Sequence, residues 1–134
     1  MNTSKLRQEL SWFFKEIEEL KGELITRKPM ARGTVYELKR KCGKSNCRCM
    51  KKGELHKQMC IAITRGGKKT LLPIKAEELA KLEKLNKFHR SFRKARARFI
   101  NLSRQIVKLS TQLEEEMLKV GDLVIEKKQK NRRR

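Results

Sequence analysis

The amino-acid sequence predicts an α+β fold, in which a three-stranded β module lies between an N-terminal helix and a long C-terminal helix of coiled-coil type. Apolar residues repeat with heptad spacing at both ends of the chain, whereas short runs rich in β-branched and aliphatic residues lie in the middle. Only 37% of the 134 residues are hydrophobic and 5% aromatic, which argues against a large single core. We therefore expect a small module with helical arms.

Residues 1–26 form the first predicted segment, an amphipathic helix over residues 4–25. Its apolar residues follow one another in steps of four and three, as in a heptad seam. They are Leu6, Leu10, Phe13, Ile17, Leu20 and Leu24. Thr3 or Ser4 is the predicted N-cap, since either side chain can accept a bond from a free backbone N–H.

Residues 27–75 form the predicted β module, which holds fifteen basic and two acidic residues. Three strands are predicted within it, at residues 34–40, 58–64 and 69–74. Gly66 and Gly67 separate the last two strands and favour a two-residue hairpin turn.

Residues 76–121 form the predicted long helix, which keeps heptad register from Leu85 to Val120 and ends at Gly121. The last segment, residues 122–134, ends in a basic run and is predicted to be a disordered tail.

The length of the long helix predicts a homodimer. We expect the first helix to cover it only as far as about Phe99 or Leu102, which leaves an apolar stripe for a second copy. The predicted oligomerisation residues are Ile106, Leu109, Leu113 and Val120.

Cysteines and a histidine concentrate in the centre of the β module. Cys42, Cys47, Cys49 and His56 follow one another within fifteen residues, and thiolates with imidazole are the ligands of structural zinc. We predict one structural Zn²⁺ per chain, which makes this a zinc-stabilised module. Cys60 is the rival fourth ligand, and a disulfide, a redox centre or unliganded thiols remain alternatives.

The run "CGKSNCRC" followed by "GELH" resembles a small bacterial and archaeal family without an established activity. Its members carry Cys-Gly-Lys-x-x-Cys-x-Cys and Gly-x-x-His in this order, over roughly residues 32–90 here. The resemblance supports the four metal ligands as a set and implies a setting in mobile elements. Members continue with Gly-Pro-Tyr-Tyr, where this chain has residues 57–60, Lys-Gln-Met-Cys.

The net charge of +21 predicts a polyanionic partner, with nucleic acid ahead of an anionic membrane. Aromatic residues for stacking on single strands are scarce, which favours a duplex or a structured RNA. With the mobile-element setting, double-stranded DNA is the favoured partner and structured RNA the alternative. The predicted phosphate contacts are Arg40, Lys41, Lys44, Arg48, Lys51, Lys52, Arg65, Lys68, Lys69, Arg90, Arg93, Lys94, Arg96 and Arg98.

A non-catalytic binding protein is the predicted class, and an adaptor subunit of a larger nucleoprotein complex is the second. Two-metal nucleases need clustered carboxylates, whereas residues 27–75 contain only Glu37 and Glu54. Three cysteines and a histidine would also close the coordination sphere of zinc, so no catalytic residues are assigned. Without a long apolar run or an apolar signal region, we expect a cytoplasmic, nucleoid-associated protein.

Overall fold

The computed structural model describes residues 2–133, apart from the side chain of Lys51. The elements in chain order are α1 (Thr3–Leu24), β1 (Thr34–Arg40), α2 (Arg48–Lys51), β2 (His56–Arg65), β3 (Lys68–Pro73) and α3 (Ala76–Arg132). The predicted α+β fold is confirmed. Two compact units make up the chain: a sheet unit, residues 27–93, and a helical unit that combines the chain up to Thr26 with the chain from Lys94 onward.

Helix α1 begins one residue earlier than predicted. Its N-cap is Asn2, whose side-chain oxygen accepts a hydrogen bond of 2.9 Å from the backbone N–H of Ser4. Asparagine is as good an N-cap as serine and better than threonine, so the choice of Thr3 or Ser4 was wrong.

The core of the helical unit lies between α1 and the later part of α3. Leu6, Leu10 and Leu109 are buried together, and Phe13 packs against this cluster with two further residues of α3, Ile106 and Leu113. This corrects the predicted oligomerisation stripe, because Ile106, Leu109 and Leu113 are covered by α1 of the same chain. Val120, the fourth residue of that prediction, is 71% exposed.

The prediction failed because it assumed that α1 pairs with α3 from the first turn of α3 onward. The first turns of α3, up to Arg93, belong to the sheet unit instead. Eighteen residues of helix span about 27 Å at 1.5 Å per residue. The stretch of α3 that α1 covers therefore lies closer to the C-terminus than predicted, by about this length.

Helix α3 continues through Gly121 to Arg132, which corrects both the predicted end and the disordered tail. A glycine inside a helix costs only about 1 kcal/mol relative to alanine. The residues that follow are mostly good helix formers, and Glu126 precedes Lys130 by four positions, a spacing that stabilises a helix.

The sheet is an antiparallel meander in the order β1-β2-β3. Val35 of β1 pairs with Ile61 of β2, and Ile61 pairs with Leu72 of β3. Gly66 and Gly67 have φ angles of 55° and 82°, as a two-residue hairpin turn with two left-handed residues requires. The three predicted strands and the hairpin are confirmed with small shifts of their ends. β2 starts two residues earlier, at His56, and ends one later, at Arg65, and β3 begins and ends one residue earlier, at Lys68 and Pro73.

Asn86 anchors the segment before β1 to α3 within the sheet unit, and the sequence analysis missed it. Its side chain is 2% exposed, and its Nδ2 donates to the carbonyl oxygens of Ala31, at 2.9 Å, and of Arg32, at 3.3 Å. The N–H of Ala31 donates in turn to the carbonyl of Leu85 at 3.2 Å. Gly33 follows with φ of 101°, and a Cβ there would lie 2.6 Å from the carbonyl oxygen of Ala62.

None of the helices in the described part of the chain combines the length and the apolar character that a membrane span requires.

Candidate metal centre and basic surface

The loop between β1 and β2 carries the candidate metal site, and the strands hold its two ends together. Arg40, the last residue of β1, pairs in register with His56, the first residue of β2. Within the loop, Cys47 is the N-cap residue of the short helix α2, which carries Cys49 in its first turn. Gly43 has a φ of 82°, a left-handed conformation that favours glycine directly after Cys42.

These elements bring the four predicted ligands together. The ligand atoms of Cys42, Cys47, Cys49 and His56 all lie within 4.8 Å of one another. The Sγ atoms of Cys42 and Cys49 are 3.5 Å apart, and the Sγ of Cys47 lies 2.9 Å from Nε2 of His56. The four side chains are therefore close enough to hold one metal ion.

The surroundings of the four ligands differ from one to the next. Cys49 is buried at 1% exposure, whereas Cys42 and His56 are exposed and Cys47 is intermediate. The backbone N–H of Cys42 donates a hydrogen bond of 3.4 Å to the Sγ of Cys49. The site thus has one thiol inside the module and three ligands near its surface.

Cys60 does not belong to this group. It lies in the middle of β2, is 4% exposed, and donates from its Sγ to the carbonyl oxygen of Gln58 at 3.9 Å. All four cysteines are free thiols. The geometry therefore selects His56 and not Cys60 as the fourth candidate ligand.

Basic side chains surround the cluster. Arg40, Lys41 and Lys57 line an open cavity of about 670 Å³ together with Cys42 and His56. Arg40 donates from Nη2 to Oε1 of Gln58 at 3.3 Å, which orients its guanidinium beside the cavity. Lys57 was not among the predicted contacts; it directly follows His56 in β2.

The strand register brings like charges together next to the site. Lys39 pairs directly with Lys57 across β1 and β2, and like charges in directly opposed positions destabilise a sheet. Among the described side chains of residues 39–57, no lysine or arginine forms an ion pair with a carboxylate. Ion pairs between the described side chains therefore do not balance the positive charge of residues 39–57.

The remaining predicted contacts are distributed over both units. Lys44, Arg48 and Lys52 are exposed on the loop, and the side chain of Lys51 lies outside the described part of the structure. At the far end of the sheet, Arg65 pairs with Lys68, and Lys69 follows them.

The basic residues of α3 fall into two groups. Arg90 lines a cavity of the sheet unit with Lys84 and Lys87, two residues that were not predicted as contacts. Arg93 is also exposed and belongs to the sheet unit. In the helical unit Lys94 and Arg96 are exposed, whereas Arg98 donates to Glu16 of α1 in an ion pair. The positive charge of Arg98 is thus balanced within the chain.

Together these features define a small α+β protein whose β hairpin carries a cluster of three cysteines and one histidine under a basic surface. Residues 14–84 match the model of a family described as a domain of unknown function, DUF6788, and the chain belongs to this family. The matched region includes the sheet, the candidate metal site and the first turns of α3. No curated protein and no solved structure matches the chain.

Proposed function

We propose that this protein binds nucleic acid without catalysis, and that it grips the phosphates of double-stranded DNA with a basic loop held in shape by structural zinc. The observation that carries the proposal is the unbalanced positive charge around the metal cluster. Lys39 faces Lys57 in register, and the described basic side chains of residues 39–57 have no carboxylate partner. A bound polyanion would relieve this repulsion.

Zinc fits the ligand set better than other common metals. Three thiolates and one imidazole form a closed tetrahedral set of soft and borderline ligands. With bond lengths of about 2.3 Å to sulfur and 2.0 Å to nitrogen, the edges of a zinc tetrahedron are about 3.8 Å for two sulfurs and about 3.5 Å for sulfur and nitrogen. The observed separations of 3.5 and 2.9 Å require only small side-chain adjustments.

A closed coordination sphere supports a structural role for the metal. A catalytic zinc keeps one position for water or substrate, whereas four protein ligands fill all four. The loop that carries these ligands also carries Lys44, Arg48 and Lys52. A metal ion would fix the backbone positions from which these three side chains extend, which lowers the entropic cost of binding phosphates.

Duplex DNA is favoured because the module offers charge rather than stacking surfaces. Tyr36 is the only tyrosine and is partly buried in β1. Proteins that bind single strands use exposed aromatic side chains as platforms for the bases. The resemblance to proteins of mobile elements agrees with a DNA partner and with a place at the nucleoid.

The second candidate function is a subunit that binds structured RNA or acts as an adaptor in a larger nucleoprotein complex. The length of α3, 57 residues, supports it, because such a helix can dock on a partner while the sheet unit contacts nucleic acid. A nuclease is less well supported, because the only carboxylates of residues 27–75, Glu37 and Glu54, are both exposed.

A binding experiment with a matched control tests the proposal. Fluorescence anisotropy with a labelled DNA duplex and with an RNA hairpin compares the unaltered chain with Lys44→Gln/Arg48→Gln/Lys52→Gln. The control, Lys5→Gln/Arg7→Gln/Lys15→Gln, removes the same charge from exposed positions of α1. Loss of three phosphate contacts should make the negative slope of log K against log salt shallower by about 2.7. This change should occur only in the loop variant.

The zinc content of both variants should equal that of the unaltered chain. Equal affinities of the two variants would refute the role of the loop. Tighter binding of the RNA hairpin than of the DNA duplex would favour the RNA-binding alternative. Absence of affinity for both nucleic acids would refute direct binding and favour the adaptor function.

A further inference from the structure

The C-terminal part of α3 leaves an apolar surface uncovered. The apolar cluster with α1 ends at Leu113. Beyond it, Met117 is 54% exposed, Val120 71% and Val124 53%. These three residues follow one another in steps of three and four, so they lie on one side of the helix. We call this surface, residues 117–125 of α3, the apolar segment.

Charges of opposite sign flank the apolar segment. Glu114 precedes Met117 by three residues, and Lys128 follows Val124 by four, so both extend the same side of the helix. Lys127 adds to the basic end, whereas Glu115, Lys119, Asp122 and Glu126 project from the opposite side of the helix. Gly121 lies midway between Glu114 and Lys128, and no other atoms lie within 4 Å of where its Cβ would be. The surface thus has an acidic end, an apolar middle and a basic end.

We propose that the apolar segment binds the same segment of a second copy of this chain, with the two helices antiparallel and crossing at Gly121. A twofold axis at Gly121 places Glu114 of one copy opposite Lys128 of the other, and does so twice. An isologous contact of this kind needs a surface that complements itself, which an acidic end and a basic end provide. A parallel pair would instead place Glu114 opposite Glu114 and Lys128 opposite Lys128.

The proposed contact is small, so the affinity should be moderate. Residues 114–128 span about 22 Å of helix, roughly two heptads. The absence of a side chain at Gly121 allows the two backbones to approach closely at the crossing point. This inference does not depend on nucleic-acid binding, since it uses only the part of α3 beyond the core with α1.

Sedimentation velocity over a range of micromolar concentrations tests the proposal on protein freed of nucleic acid. The unaltered chain should form dimers, and Val120→Lys/Val124→Lys should be monomeric. Lysine favours helix more than valine does, so this variant keeps α3 helical. Val107→Lys is the matched control, because Val107 is also an exposed valine of α3, at 65%, but lies outside the apolar segment; it should remain dimeric.

Charge reversal tests the antiparallel direction. Lys128→Glu alone and Glu114→Lys alone should each weaken the dimer about four- to thirtyfold, because each replaces two attractive pairs with two repulsive ones. An equimolar mixture of the two variants should restore the dimer. In a parallel pair neither single reversal would change the like-charge repulsion, so unchanged single variants would overturn the antiparallel contact.

A monomeric unaltered chain, or a dimeric Val120→Lys/Val124→Lys variant, would overturn the proposal as a whole. So would a monomer that co-sediments with anionic phosphatidylserine vesicles through these valines, which would identify the segment as a membrane-binding surface.

Discussion

The Sγ atom of Cys47, the N-cap residue of α2, lies 2.9 Å from Nε2 of His56 in β2, although the two residues are nine positions apart. The contact joins the start of α2 to the first residue of β2. A metal ion at this point would therefore tie the loop to the sheet.

Replacement of one ligand should remove the metal and destabilise the sheet unit. We expect Cys47→Ser to lose about one zinc per chain and several kcal/mol of folding free energy, because structural zinc contributes directly to folding. Metal analysis and thermal unfolding measure the two effects. Cys60→Ala is the control, and it should keep its zinc because Cys60 is outside the cluster. An unchanged melting curve for the metal-free protein would contradict a structural role.

Affinity for duplex DNA should fall steeply with salt. If about six to ten phosphates are neutralised, the association constant should decrease by roughly 10³ to 10⁵ between 50 and 200 mM salt. Titrations at several salt concentrations give the slope directly. A flat dependence would mean that the net charge of +21 does not act through phosphates.

Asn86→Ala should destabilise the sheet unit by about 2 kcal/mol, because it removes two hydrogen bonds and leaves the carbonyl groups of Ala31 and Arg32 without this partner. Urea unfolding measures the loss. The control is Asn101→Ala at an exposed position of α3, which should change stability by no more than about 0.5 kcal/mol. Equal effects of the two substitutions would show that the anchor contributes nothing.

Leu109→Ala should cost about 2–5 kcal/mol, since Leu109 is 8% exposed and packs on Leu6 and Leu10. Val107→Ala, two residues away and 65% exposed, should have almost no effect. Chemical denaturation measures the free energy of unfolding of both variants. If Leu109→Ala loses little stability, Leu109 would again be a candidate for a dimer contact.

Two glycines should respond to alanine in opposite directions. Gly33→Ala combines a φ of 101° with a 2.6 Å approach to the carbonyl of Ala62, so it should destabilise by more than about 1 kcal/mol. Gly22→Ala meets no neighbouring atoms in helix α1 and should stabilise by up to about 1 kcal/mol. The melting temperatures of both variants test these two effects. A stabilising Gly33→Ala would contradict the described backbone conformation at Gly33.

Local sequence patterns were sufficient for α1, the three strands and the start of α3, but not for α2 or for the end of α3. Heptad spacing predicts α1, and the Gly66-Gly67 pair predicts the second hairpin. The spacing of cysteines and histidine predicts a metal cluster, but only the structure separates His56 from Cys60 as the fourth candidate ligand. Which helical stretches pair was not predictable, because it depends on how many turns of α3 the sheet unit uses first. Asn86 also gave no signal, since its partners are backbone carbonyls more than fifty residues away.

The pairing of Arg40 with His56 has a consequence for the speed of folding. Residues 41–55, which connect β1 to β2, form a loop of fifteen residues. Closing a loop of this length costs about 2.4 kcal/mol in entropy before any strand contact compensates. An ion held by the three cysteines and His56 would bring the two strand ends together in register. Metal supply would then govern how quickly the hairpin nucleates, so refolding with zinc present should be faster than refolding followed by zinc addition.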